Sequence, residues 1–370
     1  MKTVESQTDP TSTQSPPDVQ SAIRNPQSAI HESWIDTFRG LAILAVLSIH
    51  ILPRIFQQLA SQSPLWYVLI ALHRACFFAV PGFLMLSAMV NAHSLLRSSN
   101  LRRYVVSRLQ SVVWPYLVWS LIYIAYQKLD NPKGFHAITT PSLLWYGKAF
   151  PHLYFMILLI QLLALLPLLM RVSKNKLSAV VFVFSALVLT AAMYLANRLW
   201  LRLPSPGSII LWYTPAVFVG IYLGTQFNRV RQALRSALPW AVAAAAVSLI
   251  WYAPSAFDQA RHLHVRFDGA VYQTSEWLYT TGMAVIVMNA ALWIGEGRLR
   301  TGLGYLGRNS LQVYLAHPLF LAFLDDHPSI TFALGAKGAF LLLYTMAIAA
   351  PLILAECMRR AKLSPVLFGR

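Results

Sequence analysis

The stretch Trp34–Leu52, WIDTFRGLAILAVLSIHIL, decides how the chain is read. It is long and apolar enough for a helix that crosses a bilayer, yet Asp36, Arg39 and His50 lie inside it or at its edge. Ionisable groups are costly in hydrocarbon, so in spanning segments they turn toward a cavity or a partner. The step from Arg39 to His50 is about three turns of helix, which leaves the two side chains within ~20° of one another and about 16 Å apart along the axis. One stripe therefore carries a fixed cation near one end and a proton acceptor near the other. Such a stripe reads as a buried reaction path or a substrate pathway.

The composition supports the membrane reading. Of 370 residues 57% are hydrophobic and 12% charged, and the mean hydropathy is +0.53, too apolar for a soluble globular chain of ordinary composition. The net charge of +17 invites a nucleic-acid partner. The basic residues, however, fall in short clusters between apolar runs of about 17 to 29 residues, the length of a straight or tilted membrane helix, so no nucleic acid is expected. Spans are expected at 34–53, 65–92, 111–127, 151–171, 178–197, 208–225, 237–253, 273–295, 309–325 and 329–357, an all-α polytopic bundle of about ten helices. With the amino terminus in the cytoplasm, the inner loops, inner span ends and tails hold 19 of the 30 Lys and Arg and the outer loops eight, an asymmetry that puts both termini inside the cell membrane.

Residues 1–33 are rich in Ser, Thr, Gln and Pro and read as a disordered cytoplasmic tail. They lack the compact apolar core and cleavage site of a signal peptide, so the first span is expected to stay as an anchor. The bundle is expected over 34–357 and a basic cytoplasmic tail over 358–370. Cys76 and Cys357 lie too far apart in this topology for a disulfide and read as small buried apolar residues.

Other polar groups stand out along the chain. The second span holds Arg74, then AVPGFLMLSAMV, where Pro81 and Gly82 are expected to kink the helix, either against a cavity or against another helix. Arg74, at least two turns from either end, needs an anion or a carbonyl cluster. HSLLRSSNLRRYVVSRLQSVVWPYLVW is basic and amphipathic and suits an anionic ligand or lipid headgroups; Arg108 lies two turns before Pro115, at the mouth of the bundle, as a planar bidentate donor. In FPHLYFMILLIQLLALLPLL, His152 and Tyr154 fall at the outer boundary and Gln161 halfway along. WYTPAVFVGIYLG is another segment interrupted by Pro and Gly, whose Gly220 and Gly224 suit close helix packing. NSLQVYLAHPLFLAFLDD sets Tyr314 and His317 on one face beside Pro318, with Asp325 and Asp326 at the outer end. The sequence has no phosphate-binding glycine loop, no Cys and His spacing suited to zinc and no G-x-S-x-G elbow.

In this order these segments resemble the acyltransferase-3 family of polytopic membrane proteins, over about residues 34–357. WIDTFRGLAILAVLSIH resembles the family's first-helix motif and so implies the essential pair at Arg39 and His50. VPGFLMLSA resembles the second-helix segment, with Ser87 and Ala88 where the family more often has Ser-Gly. RLQSVVWPYLVW resembles the basic approach to the third helix, although the usual pair of arginines appears only as Arg108, with Ser111 in the second place. HLYFMILLIQLLALLPLL and SLQVYLAHPLFL resemble the later signatures around Tyr154 and His317.

The resemblance implies transfer of an acyl group, often acetyl, from cytoplasmic acyl-CoA, a donor substrate and no resident cofactor, to a hydroxyl of an extracytoplasmic carbohydrate or polysaccharide. His50 is then expected as general base or brief acyl carrier, Arg39 as the cation for the donor or the developing charge, and Asp36 as the group that fixes Arg39. Arg108, Arg103 and Arg74 are expected to bind the donor, and His152, Tyr154, Tyr314 and His317 to line the acceptor site. No metal is implied, and lipid is the surrounding partner. The rival reading is a transporter or exporter, for which broken helices and buried charges are equally natural; no internal similarity between the halves supports it. A purely structural scaffold leaves Arg39, His50 and Arg74 unexplained.

Overall fold

Hydrophobic runs of this length satisfy their backbone groups in lipid only as helices, and helices are what form. The computed structural model describes residues 33–60, 63–98, 100–130, 140–173, 179–261, 265, 267–333 and 335–369. In chain order the helices are α1 (Ser33–Phe56), α2 (Pro64–Ala75), α3 (Ala79–Leu96), α4 (Leu101–Asp130), α5 (Thr140–Trp145), α6 (Tyr154–Ser173), α7 (Ala179–Ala196), α8 (Thr214–Thr225), α9 (Val230–Ala260), α10 (Gly269–Trp293), α11 (Arg298–Arg308), α12 (Ser310–Asp325), α13 (Pro328–Thr331), α14 (Gly335–Arg360) and α15 (Ser364–Phe368). No strand occurs among the described residues. Seven helical segments are long and apolar enough to cross a membrane: α1, α2 with α3, α4, α6, the end of α7, α9 and α14. The other three expected spans fall on helices too. Of these, α8 and α12 are short, at 12 and 16 residues, and α10 carries Gln273, Thr274, Ser275 and Glu276 in its first half. The expected tail over 1–33 lies outside the described residues except for Ser33.

α1 is the core helix. Trp34, Phe38, Ile43, Leu47, Ile51 and Leu52 are fully buried, and α2, α3, α10, α11, α12 and α14 pack around it. The outward faces of α9 and α14, with Trp240, Ile250, Leu341 and Ile353, stay apolar and exposed, as lipid-facing surfaces require. The α3–α8 contact has the closeness that glycines allow: a Cβ on Gly224 would stand 2.5 Å from the Met89 carbonyl oxygen, and one on Gly220 would run into that of Met85. The expected packing role of this pair holds.

Four local expectations change. The second span breaks at a 3-10 turn, Cys76–Phe78, and Pro81 sits in the first turn of α3, where its missing N–H costs no helical bond. Pro215 likewise opens α8. α4 starts at Leu101, so the basic segment and the third span are one continuous helix. Cys76 is buried, but Cys357 is exposed.

The carboxy-terminal segment folds back. Phe368 is buried beside Trp119, and the indoles of Trp114 and Trp119 donate to the Val366 and Leu367 carbonyls. The residues expected as a basic tail thus end in a strap on α4.

Candidate functional site

α1 presents its two chemical ends to different surroundings. At the amino-terminal end, Asp36 lies in the first turn, where the helix dipole favours a carboxylate. Arg39, one turn on, holds it with Nη1 3.3 Å from Asp36 Oδ1, and Arg308 Nη1 of α11 stands 3.8 Å from Asp36 Oδ2. α11 comes this near because two glycines meet α1: a Cβ on Gly307 would run into the Asp36 carbonyl, and one on Gly40 into that of Leu303. From α4, Arg108 lies over the Tyr104 ring at 5.4 Å, within electrostatic reach of Arg39, and its buried Nε has no hydrogen-bond partner among the described residues. Two guanidinium groups, Arg39 and Arg308, thus share the Asp36 carboxylate, and a third, Arg108, lies within electrostatic reach of Arg39. That excess of positive charge suits an anion with several oxygens.

Arg103 and Arg74 do not join this group. Arg103 lies on the exposed side of α4. α2 starts from the other end of α1, and its ten-residue advance from Pro64 covers only about 15 Å, so Arg74 stays in the half of the bundle that holds His73 and His50. There it lies over Phe77 at 4.9 Å and within electrostatic reach of Glu276 of α10, a carboxylate that receives the Gln273 amide at 3.1 Å. Glu276 escaped the sequence reading. Its signal was available, since it is the one acidic residue in the apolar stretch 269–293.

At the carboxy-terminal end of α1, His50 packs its ring 5.2 Å from that of His317 on α12, and His317 lies 5.7 Å from His152. His152 and His317 are buried, and Tyr314, Tyr123 and Phe150 surround His152. The Tyr314 hydroxyl donates to the His152 carbonyl, and the Tyr123 hydroxyl donates to the Leu315 carbonyl at 2.7 Å. Arg54 clamps the assembly: its guanidinium is bidentate on Asp325, at 2.7 and 2.5 Å, and also donates to the His50 carbonyl. Asp326 accepts from Tyr126 at 2.8 Å. Among the described residues, no three His, Cys, Asp or Glu side chains are grouped to hold a metal.

A cleft of about 580 Å³ has Tyr146, Lys148, Pro151, Tyr154, Ser208 and Tyr213 in its wall; Pro151 and Tyr154 bring it close along the chain to His152, although His50, His152 and His317 do not line it. Tyr154 and Tyr213 lie against each other and within reach of Glu276, and Lys148 Nζ sits 5.6 Å over the Tyr146 ring. Gln161 braces the wall: its amide donates to the Ser208 carbonyl at 2.9 Å and accepts from the Ile210 N–H at 2.8 Å.

The stripe between the two ends is closed. Ile43 and Val46, the residues that bridge Arg39 and His50 on their shared face, are 0% and 3% exposed. Buried apolar packing at Ile43 and Val46 therefore separates the two ends of the stripe and interrupts the continuous path that the stripe suggested. The arrangement can bind an anion at one end and move protons at the other.

No curated protein and no solved structure matches the chain. A family model described as an acyltransferase domain matches residues 32–356, a length that takes in both polar ends of α1 and the packing between them. The chain belongs to the acyltransferase-3 family and is a membrane protein that transfers acyl groups.

Proposed function

We propose that the protein moves an acyl group, acetyl in the first instance, from cytoplasmic acyl-CoA to a hydroxyl of an extracytoplasmic carbohydrate. The observation that carries this reading is the polarity of α1, with the guanidinium group at one end and the imidazoles at the other. The phosphates of the donor meet Arg39, Arg108 and Arg308, and Asp36 holds the guanidinium of Arg39 in place. To bring the thioester to His50, the pantetheine arm has to displace the helices packed on Ile43 and Val46. The acceptor enters through the cleft, where tyrosine faces suit a sugar ring and Lys148 suits an acidic substituent.

His50 takes the proton of the attacking hydroxyl as its oxygen bonds to the acyl carbon; the C–S bond breaks, and the thiolate leaves toward the arginine end. The test uses the full chain in liposomes with labelled acetyl-CoA supplied on one face and the source cell's surface polysaccharide on the other. Label in the polysaccharide and free CoA thiol on the donor side are expected. Passage of polysaccharide without label, or no release of CoA, would overturn the reading and favour an exporter.

A further inference from the structure

His317 has a fixed tautomer. Its Nδ1 lies 2.9 Å from the Val313 carbonyl oxygen, and a carbonyl can only accept, so the ring proton is on Nδ1 and Nε2 of the neutral ring is a bare lone pair. Pro318 contributes to this, since it has no N–H to give to the Tyr314 carbonyl, which is left turned toward the same imidazole. Nε2 is buried, in a residue that is 0% exposed, and it has no hydrogen-bond partner among the described residues. Buried acceptors are nearly always paired, and one that is not calls for a physical reason. The nearest imidazole to that of His317 is His50, centroid to centroid 5.2 Å and inclined by 52°. The other neighbours are His152, neither of whose nitrogens has a hydrogen-bond partner among the described residues, and Tyr314, whose hydroxyl is occupied by the His152 carbonyl.

We infer that His317 is a proton-relay residue that acts through His50, a role that rests on the acyl-transfer reading above. As the acceptor oxygen forms its bond to the acyl carbon, its proton goes to one nitrogen of His50, and the proton on the opposite nitrogen of His50 passes to His317 Nε2. The relay then runs backward: His317 returns its proton through His50 to the departing thiolate, which becomes the CoA thiol. No oxidant or further reactant enters. The rings change only their protonation, and Nδ1–H of His317 keeps its bond to Val313 throughout.

The experiment is acetyl transfer from labelled acetyl-CoA in membrane vesicles of the source cell, with the full chain. His317→Asn keeps an N–H placed as Nδ1 is and removes the Nε2 lone pair; His317→Gln puts an amide near Nε2 that cannot carry a proton. Both variants are expected to lose about tenfold or more in kcat with KM for acetyl-CoA unchanged, and His50→Ala/His317→Asn is expected to be no slower than His50→Ala alone. A His317→Asn protein with kcat within twofold of the parent, or one changed in KM alone, would overturn the relay. Should neither variant fold, a proton inventory on the unsubstituted protein decides: a bowed plot, from more than one proton in flight, supports the relay, and a linear plot overturns it. An active His50→Ala protein would refute the acyl-transfer role of His50 itself, which is a separate failure.

Discussion

The two ends of α1 solve opposite problems with one helix. At the arginine end a buried carboxylate is shared by two guanidinium groups that reach solvent: Asp36 by Arg39 and Arg308, whose side chains keep 38% and 49% of their surface open. At the histidine end His152 and His317 are buried among aromatic rings, and the nitrogens of His152 and Nε2 of His317 have no hydrogen-bond partner among the described residues. Fixed charge reachable from water recruits an anion. Lone pairs kept from water move protons. The plug of Ile43 and Val46 keeps these two environments apart, so that neither spoils the dielectric the other needs.

The contrast is broken most directly by His50→Ala. It is expected to lower the rate by about 10² to 10⁴ with KM for acetyl-CoA unchanged, measured as label transferred by the folded protein. Arg39→Ala is expected to do the reverse. A charged hydrogen bond is worth about 1.5 to 3 kcal/mol, so its loss raises KM for acetyl-CoA about ten- to a hundredfold and leaves the chemical step nearly intact. Equal losses in both parameters for both variants would dissolve the distinction between the ends. Arg39→Lys sharpens it, because full activity there would leave a need for charge alone and none for the planar fork.

A smaller effect tests what holds the arginine end together. In Gly307→Ala the new Cβ meets the Asp36 carbonyl, so α11 must move away from α1. A loss of about 1 to 3 kcal/mol in stability is expected, read as a lower melting temperature in detergent, with donor KM raised and no change in the response to substitutions at His50. The smallest effect belongs to Lys148→Ala. This residue is exposed at the cleft, its removal is expected to change stability by less than about 0.5 kcal/mol, and a severalfold rise in KM for an acidic acceptor, with none for acetyl-CoA, is the expected signature.

Much of the helical plan was legible because hydrophobic runs and a period of 3.6 residues are local properties. Arg39 and His50 were placed on one stripe by counting residues, and Gly220 and Gly224 were assigned to a close contact by their spacing. Arg74 shows where such reading stops. A guanidinium in an apolar span signals that it needs an anion, but the carboxylate within its electrostatic reach is Glu276, some two hundred residues away, and no local pattern joins them. The break at Cys76–Phe78 was masked by the stronger local signal of Pro81, which the first turn of a helix accommodates without distortion.

The sequence by itself determined that this chain is a helical membrane protein and that one helix carries a cation and an imidazole on the same side. Both follow from the solvation cost of backbone and charge in hydrocarbon, paid residue by residue along the chain. Tertiary packing alone sets that the stripe is interrupted, that α11 brings a second guanidinium to Asp36, and that the rings of His50, His317 and His152 meet in one group. Those outcomes depend on which helices touch, and at what height. Packing between elements far apart in the chain sets that, not the periodicity of any single one.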